Sequence, residues 1–208
     1  MEKRRREFTT VRHCARQALG ELGYEPVPIL KGDKGAPVWP AGIVGSLTHC
    51  DGYRAATVAY AMSVRSLGID AEPHDRLPDG VLEHTSLPAE REVLATRSGD
   101  LHWDRLLFCA KESTYKAWFP LTGRWLGFED ARITFTVERR GIDSRPGNGE
   151  VREVMATVDG EPVLSATAVI AAPTTFYAFP GQGIQSKGMG LAARSNSAAA
   201  RAVWDEAD

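Results

Sequence analysis

Two acidic residues, Asp70 and Glu72, stand two apart in the run Leu67-Gly68-Ile69-Asp70-Ala71-Glu72. On a strand, that spacing sends both side chains to one face of the sheet. Some forty residues later, Glu112 and Lys116 stand four apart, one turn along a helix and on one side of it. Three carboxylates that converge, with phosphate oxygens completing an octahedron, make a hard oxygen site suited to Mg²⁺. A lysine alongside would neutralise a phosphate held by that metal. Spacing alone leaves a plainer reading open, since a D-x-E on a strand is commonly a solvated face and an i,i+4 Glu/Lys pair is commonly helix surface.

The elements that must position these groups follow from periodicity. Val11, Cys14, Ala15, Ala18, Leu19 and Leu22 recur at helical spacing, which predicts a helix from about Thr10 to Leu22, closed by Gly23. The Pro- and Gly-rich stretch from Glu25 to Gly42 reads as loop and contains a basic turn, Lys31-Gly32-Asp33-Lys34-Gly35. Two strands, Ile43 to Thr48 and Ala55 to Tyr60, flank the turn signal Asp51-Gly52, and a third, Leu67 to Glu72, stops at Pro73. In the second half, helices are expected from about Pro88 to Ala95 and from about His102 to Phe119, the latter ended by Pro120. Strands follow at Ala131 to Val137, Val151 to Val158 and Val163 to Ile170. Helix plus three strands, twice over, predicts an α+β fold of two pseudo-symmetric lobes, each a small antiparallel sheet with helices.

The local sequence around the carboxylates carries more information than their spacing. Gly68-Ile69-Asp70-Ala71-Glu72, followed by Phe108-Cys109-Ala110-Lys111-Glu112-Ser113-Thr114-Tyr115-Lys116, resembles the paired signature G-[IV]-D-x-E and [FW]-[SCT]-x-K-E-[SA]-x-x-K of the Sfp-type 4′-phosphopantetheinyl transferases. Gly45-Ser46-Leu47-Thr48-His49 also stands upstream in the expected place, and the likeness runs from about Arg4 to Phe135. It is nearest to the actinobacterial enzymes that activate carrier proteins. The resemblance implies Mg²⁺-dependent transfer of the phosphopantetheine arm of coenzyme A to a serine of an apo acyl or peptidyl carrier protein, releasing adenosine 3′,5′-bisphosphate.

Carried over residue by residue, the resemblance makes Asp70, Glu72 and Glu112 the Mg²⁺ ligands, with Glu112 also taking the serine proton. Lys116 contacts the pyrophosphate, His49 a cofactor phosphate, and Thr48 stands next to it. The 3′-phosphate falls to Arg4, Arg12 and Lys31. Lys111 points about 100° away from Glu112 around a helix, toward cofactor or solvent. Arg124 faces the cofactor or packs on Trp125. The remaining histidines, His13, His74, His84 and His102, read as structural or solvated.

Bulk properties agree with a small soluble fold. With 25 Lys+Arg against 27 Asp+Glu the net charge is -2, which argues against a general nucleic-acid binder but permits a local basic cluster. Cys14, Cys50 and Cys109 form no C-x-x-C pair and read as reduced thiols. No apolar run is long enough to span a bilayer, and the basic start lacks the apolar core of a signal peptide. A cytoplasmic monomer without membrane contact is the expectation.

The end of the chain departs from this pattern. Phe179-Pro180-Gly181-Gln182-Gly183-Ile184-Gln185 resembles the first strand and oxyanion loop of malonyl or acyl transferase domains, yet the G-H-S-x-G elbow those enzymes need is absent. The expected organisation is therefore an N-terminal lobe at 1–78, a C-terminal lobe at 79–173 and a tail at 174–208 with no chemistry of its own. The rival to the enzyme is a non-catalytic subunit that binds coenzyme A or a carrier protein. A metal-dependent phosphohydrolase would leave the flanking motifs unexplained.

Overall fold

The first helix, α1 (Glu2–Glu21), begins well before Thr10. Its first turns, Lys3-Arg4-Arg5-Arg6-Glu7, carry no apolar stripe for periodicity to detect, although Lys, Arg and Glu are good helix formers. In this computed structural model the described residues are 2–25, 27–97, 101–136, 151–158, 161–171 and 175–180. Ala15 and Leu19 of α1 are fully buried against Ile29 and Ile43, with Trp39, Leu47 and Val58 packed around them. The segment expected to be loop contains two short antiparallel strands, β1 (Leu30–Lys31) and β2 (Pro37–Val38), joined by a 3₁₀ turn at Asp33–Gly35. Strands β3 (Ile43–Cys50) and β4 (Tyr53–Tyr60) form the expected hairpin, whose turn glycine, Gly52, takes a positive φ.

Strand β5 (Asp70–Pro73) does not join the hairpin's sheet. It is an edge of a five-stranded antiparallel sheet of order β5-β9-β8-β7-β6, with β6 at Ala131–Thr136, β7 at Val151–Val158, β8 at Glu161–Ala171 and β9 at Thr175–Pro180. Asp70 pairs with Ala178 and Glu72 with Phe176. Thr175–Pro180, within the tail expected at 174–208, lies between β5 and β8 and supplies the antiparallel partner that the short carboxylate strand needs. Residues 181–208, where the rest of the expected tail falls, lie outside the described residues. Among the described residues the architecture is mixed helix and antiparallel sheet, with sheets of two, two and five strands.

On its other side β5 meets β3 through side chains. The backbone amides of Ile69 and Ala71 donate to Ser46 Oγ at 3.0 Å and Thr48 Oγ1 at 2.9 Å. Two hydroxyls thus take the place of a backbone ladder along this seam.

Helices α2 (Val81–Thr85) and α3 (Pro88–Ala95) lead to α4 (Trp103–Thr122). Leu106, Leu107 and Ala110 of α4 are buried with Trp103, Ile133, Phe135 and Ala156 in the main core. Pro120 does not end α4, because a missing amide in the last turn removes only one hydrogen bond. The stop comes at Gly123, in the left-handed conformation, with its N–H donating to Phe119 O. Gly68, just before β5, lies against the same helix: a Cβ there would stand 2.0 Å from Ser113 O and 2.6 Å from Ala117 N. Among the described residues no helix is long and apolar enough to cross a membrane.

Candidate active site

Asp70 opens β5 and is buried. Its Oδ1 accepts from Lys116 Nζ at 2.7 Å and from Thr48 Oγ1 at 3.2 Å, while Lys116 also donates to Ile69 O at 3.1 Å. Its Oδ2 is buried and accepts no hydrogen bond among the described residues. Glu72, next on the same face, accepts from Arg105 Nη1 at 3.0 Å, and Arg105 is fixed in turn on the carbonyls of Asp75 and Arg76.

Glu112 lies across from these two. Burial pushes its carboxyl above the ordinary glutamate value, and the charges of Asp70 and Glu72 add to the push while Lys116 opposes it. Glu72 is raised for similar reasons, by burial first and then by Asp70, with Arg105 in opposition. The same cluster acts on two thiols. Burial pushes Cys50 up to about 11, and Cys109 is raised by burial and then by Asp70, so neither is a ready nucleophile.

Three carboxylates that feel one another, one with an uncommitted buried oxygen, have the donor chemistry of a hard divalent cation. As they stand, with Glu72 turned to Arg105 and Asp70 Oδ1 to Lys116, no three acidic, His or Cys groups among the described residues are grouped closely enough to grip an ion.

Beside the carboxylates opens a cleft of about 1140 Å³, lined by Arg12, Lys31, Lys34, Thr48, His49, Glu112, Tyr115 and Lys116 among others. Arg12 is nearly buried. Its Nε donates to Ile29 O at 2.8 Å and its guanidinium lies 3.4 Å from the centre of the Phe8 ring, so it is held before any ligand arrives. His49 Nδ1 is 3.9 Å from Glu7 Oε2, and Arg54 reaches the other oxygen of Glu7 at 3.6 Å. Such a cleft can bind a polyanion, since Arg12, Lys31, Lys34 and Lys116 line it together with the acids Glu7, Asp33 and Glu112.

Of the residues singled out from sequence, the structure brings Arg12, Lys31, Thr48, His49, Glu112 and Lys116 to this cleft and ties Asp70 to it through Lys116 and Thr48. Glu72 stands beside Asp70 but is not part of the cleft wall. Lys111 is a correction: it is buried, paired with Glu90 Oε2 at 2.7 Å, and donates to Phe128 O and Ala131 O. It meets neither cofactor space nor solvent, because its helix face packs on α3 and the start of β6. Arg124 is exposed and does not line the cleft. Arg4 lies on α1, and its side chain is outside the described set.

Sequence reasoning passed over Lys34 and Arg105. Lys34 stands in the basic turn already noted, has a positive φ, and places its Nζ 5.5 Å from the Phe119 ring at the cleft wall. Arg105 was within reach as well: it precedes Glu112 by seven residues and therefore shares the helix stripe of Glu112 and Lys116.

The family comparisons agree with this arrangement. The family model described as the 4′-phosphopantetheinyl transferase N-terminal domain matches residues 1–59, and that of the 4′-phosphopantetheinyl transferase superfamily matches residues 66–159. Together they take in all the cleft and carboxylate residues above. The chain belongs to the 4′-phosphopantetheinyl transferase family. It is 67% identical over 149 residues to the 4′-phosphopantetheinyl transferase Npt of Nocardia iowensis, a match covering 72% of this chain and 66% of the relative. To PptT of Mycobacterium tuberculosis it is 67% identical over 144 residues, covering 69% and 63%. Enterobactin synthase component D of Escherichia coli K12 is 36% identical over 118 residues, 55% of each chain. The chain thus spans less than two thirds of the length of the transferases it matches. The Sfp-type, actinobacterial character expected from the motifs is what these identities support.

Proposed function

We propose that this chain transfers the 4′-phosphopantetheine arm of coenzyme A to a serine of an apo acyl or peptidyl carrier protein. The observation that carries the reading is Lys116, which lines the polyanion cleft while bonded to Asp70 at 2.7 Å and so joins a phosphate-binding wall to the carboxylates. Arg12, Lys31 and His49 would bind the phosphates of coenzyme A along the cleft, with Lys31 and Arg12 on the 3′-phosphate. Asp70, Glu72 and Glu112 would hold Mg²⁺, which when bound would draw charge from the pyrophosphate.

In the transfer, the serine Oγ bonds to phosphorus and the P–O bond to the adenosine bisphosphate breaks. Glu112, its carboxyl raised by burial and so a stronger base than an ordinary glutamate, is suited to take the serine proton, and Lys116 to offset charge on the departing phosphate. The two-lobe reading places coenzyme A between the α1–hairpin half and the five-stranded sheet, and a monomer suffices for it. A water-filled compartment with free carrier proteins, such as the cytoplasm, is the matching location.

Incubation with coenzyme A, Mg²⁺ and an apo carrier protein should add one phosphopantetheine mass to the carrier. Glu112→Gln should abolish that gain while coenzyme A still binds. Coenzyme A bound with no mass gain on any of several carriers would instead indicate the non-catalytic binding subunit.

A further inference from the structure

Ser46 and Thr48 stand two apart on β3 and make the same stitch: each hydroxyl accepts a backbone N–H from the segment leading through β5, Ile69 for Ser46 and Ala71 for Thr48. They differ in what the hydroxyl hydrogen does. Thr48 donates it to Asp70 Oδ1, the oxygen that Lys116 also holds. With Oδ1 fixed from two sides, the carboxylate plane is set, and Oδ2 is buried with no hydrogen-bond partner among the described residues, the weakly donating Cys109 thiol being the other group against this carboxylate.

A buried carboxylate oxygen with no donor is costly unless a cation completes it. We propose that Thr48 is a positioning residue for the metal, orienting Asp70 so that Oδ2 faces the ion, rather than a contact for coenzyme A. The proposal rests on the Mg²⁺ reading above. Its geometry follows from Thr48 itself: the hydroxyl is committed to Ala71 N–H on one side and Asp70 on the other, and the residue is only 3% exposed although it borders the cleft. Outer hydrogen-bond partners of metal-ligating carboxylates typically change metal affinity by about 10–100-fold when removed.

The test is a titration with Mn²⁺ followed by electron paramagnetic resonance, beside coenzyme A binding measured in EDTA. Thr48→Val, which keeps the shape and removes the hydroxyl, should weaken Mn²⁺ binding about tenfold and leave metal-free coenzyme A affinity unchanged. Thr48→Ser should bind Mn²⁺ like the wild type. Ser46→Ala breaks the equivalent stitch without touching a carboxylate, so it should lower thermal stability but not Mn²⁺ affinity. If Thr48→Val does not fold, Thr48→Cys supplies the comparison, because a thiol donates only feebly. Wild-type Mn²⁺ affinity in Thr48→Val or Thr48→Cys, or an equal loss in Ser46→Ala, would overturn the assignment and leave Thr48 a seam residue. Failure of the wild type to bind Mn²⁺ would overturn the metal reading together with it.

Discussion

Two lysines five residues apart on α4 make ion pairs of the same 2.7 Å length, and only one of them faces the cleft. They point roughly 140° apart around the helix. Lys111 meets Glu90, and every polar atom of that node is engaged: Glu90 also accepts from Leu87 N–H and Ile133 N–H, while Lys111 donates to two carbonyls as well. Lys116 meets Asp70, whose second oxygen is uncommitted, and stands partly exposed at the cleft. Pair length therefore says little about role. A saturated node ties helix to sheet, whereas a node with one open valence has somewhere to put a ligand.

This contrast can be broken from the stability side first. Lys111→Met should strand Glu90 as an unpaired buried charge and cost about 3–5 kcal/mol, a large fall in Tm by calorimetry. Transfer per folded molecule at low temperature should stay close to wild type. A comparable loss of transfer with normal stability would erase the distinction.

Lys116→Ala should do the reverse. We expect transfer to fall by about two orders of magnitude, the usual cost of one lost donor at a developing negative charge, with a smaller drop in Tm than Lys111→Met gives. Single-turnover kinetics beside calorimetry separate the two effects.

Glu112→Gln sharpens the open node through pH. A carboxyl raised in the folded state binds its proton more tightly there, so its contribution to stability is lost as pH rises from the ordinary glutamate value through the raised one. Removing the charge should raise Tm at neutral pH, and the gain should vanish below about pH 4, where folded and unfolded chains are both protonated. A gain that persists at low pH would point to packing instead.

The smallest effects are expected at the exposed basic turn. Lys31→Ala should lose the preference for coenzyme A over its 3′-dephospho form. Lys34→Ala should weaken coenzyme A binding a few-fold, roughly fivefold or less, with the loss shrinking as salt is added. An unchanged preference in Lys31→Ala would place the 3′-phosphate elsewhere.

Much of this site was legible because its motifs are local. Gly68 to Glu72 and Phe108 to Lys116 each lie on one element, and the two ends of α3 and of β7 fall where periodicity put them. What could not be read was which face meets what. The role of Lys111 depends on α3 lying over that side of α4, a tertiary fact with no trace in the spacing of Lys111 to Glu112. The run beginning at Phe179 resembles the start of another domain, and nothing in it shows that Thr175–Pro180 pairs with β5, about a hundred residues away, because a strand's sequence does not name its partner. Thr48 lines the cleft beside His49, as the motif implied, but that its hydroxyl turns to Asp70 depends on how β3 meets β5, which the motif does not show.

Gly68 gives the arrangement its tolerance. With backbone atoms of α4 where a methyl would have to be, the approach of strand to helix is limited by the main chain alone. The gap between Asp70 and Lys116 is in effect machined to zero clearance, and one added carbon acts as a shim. Gly68→Ala would wedge the two halves of the ion pair apart while leaving every charged residue in place, so the dimension of the site is written in the one position that has no side chain.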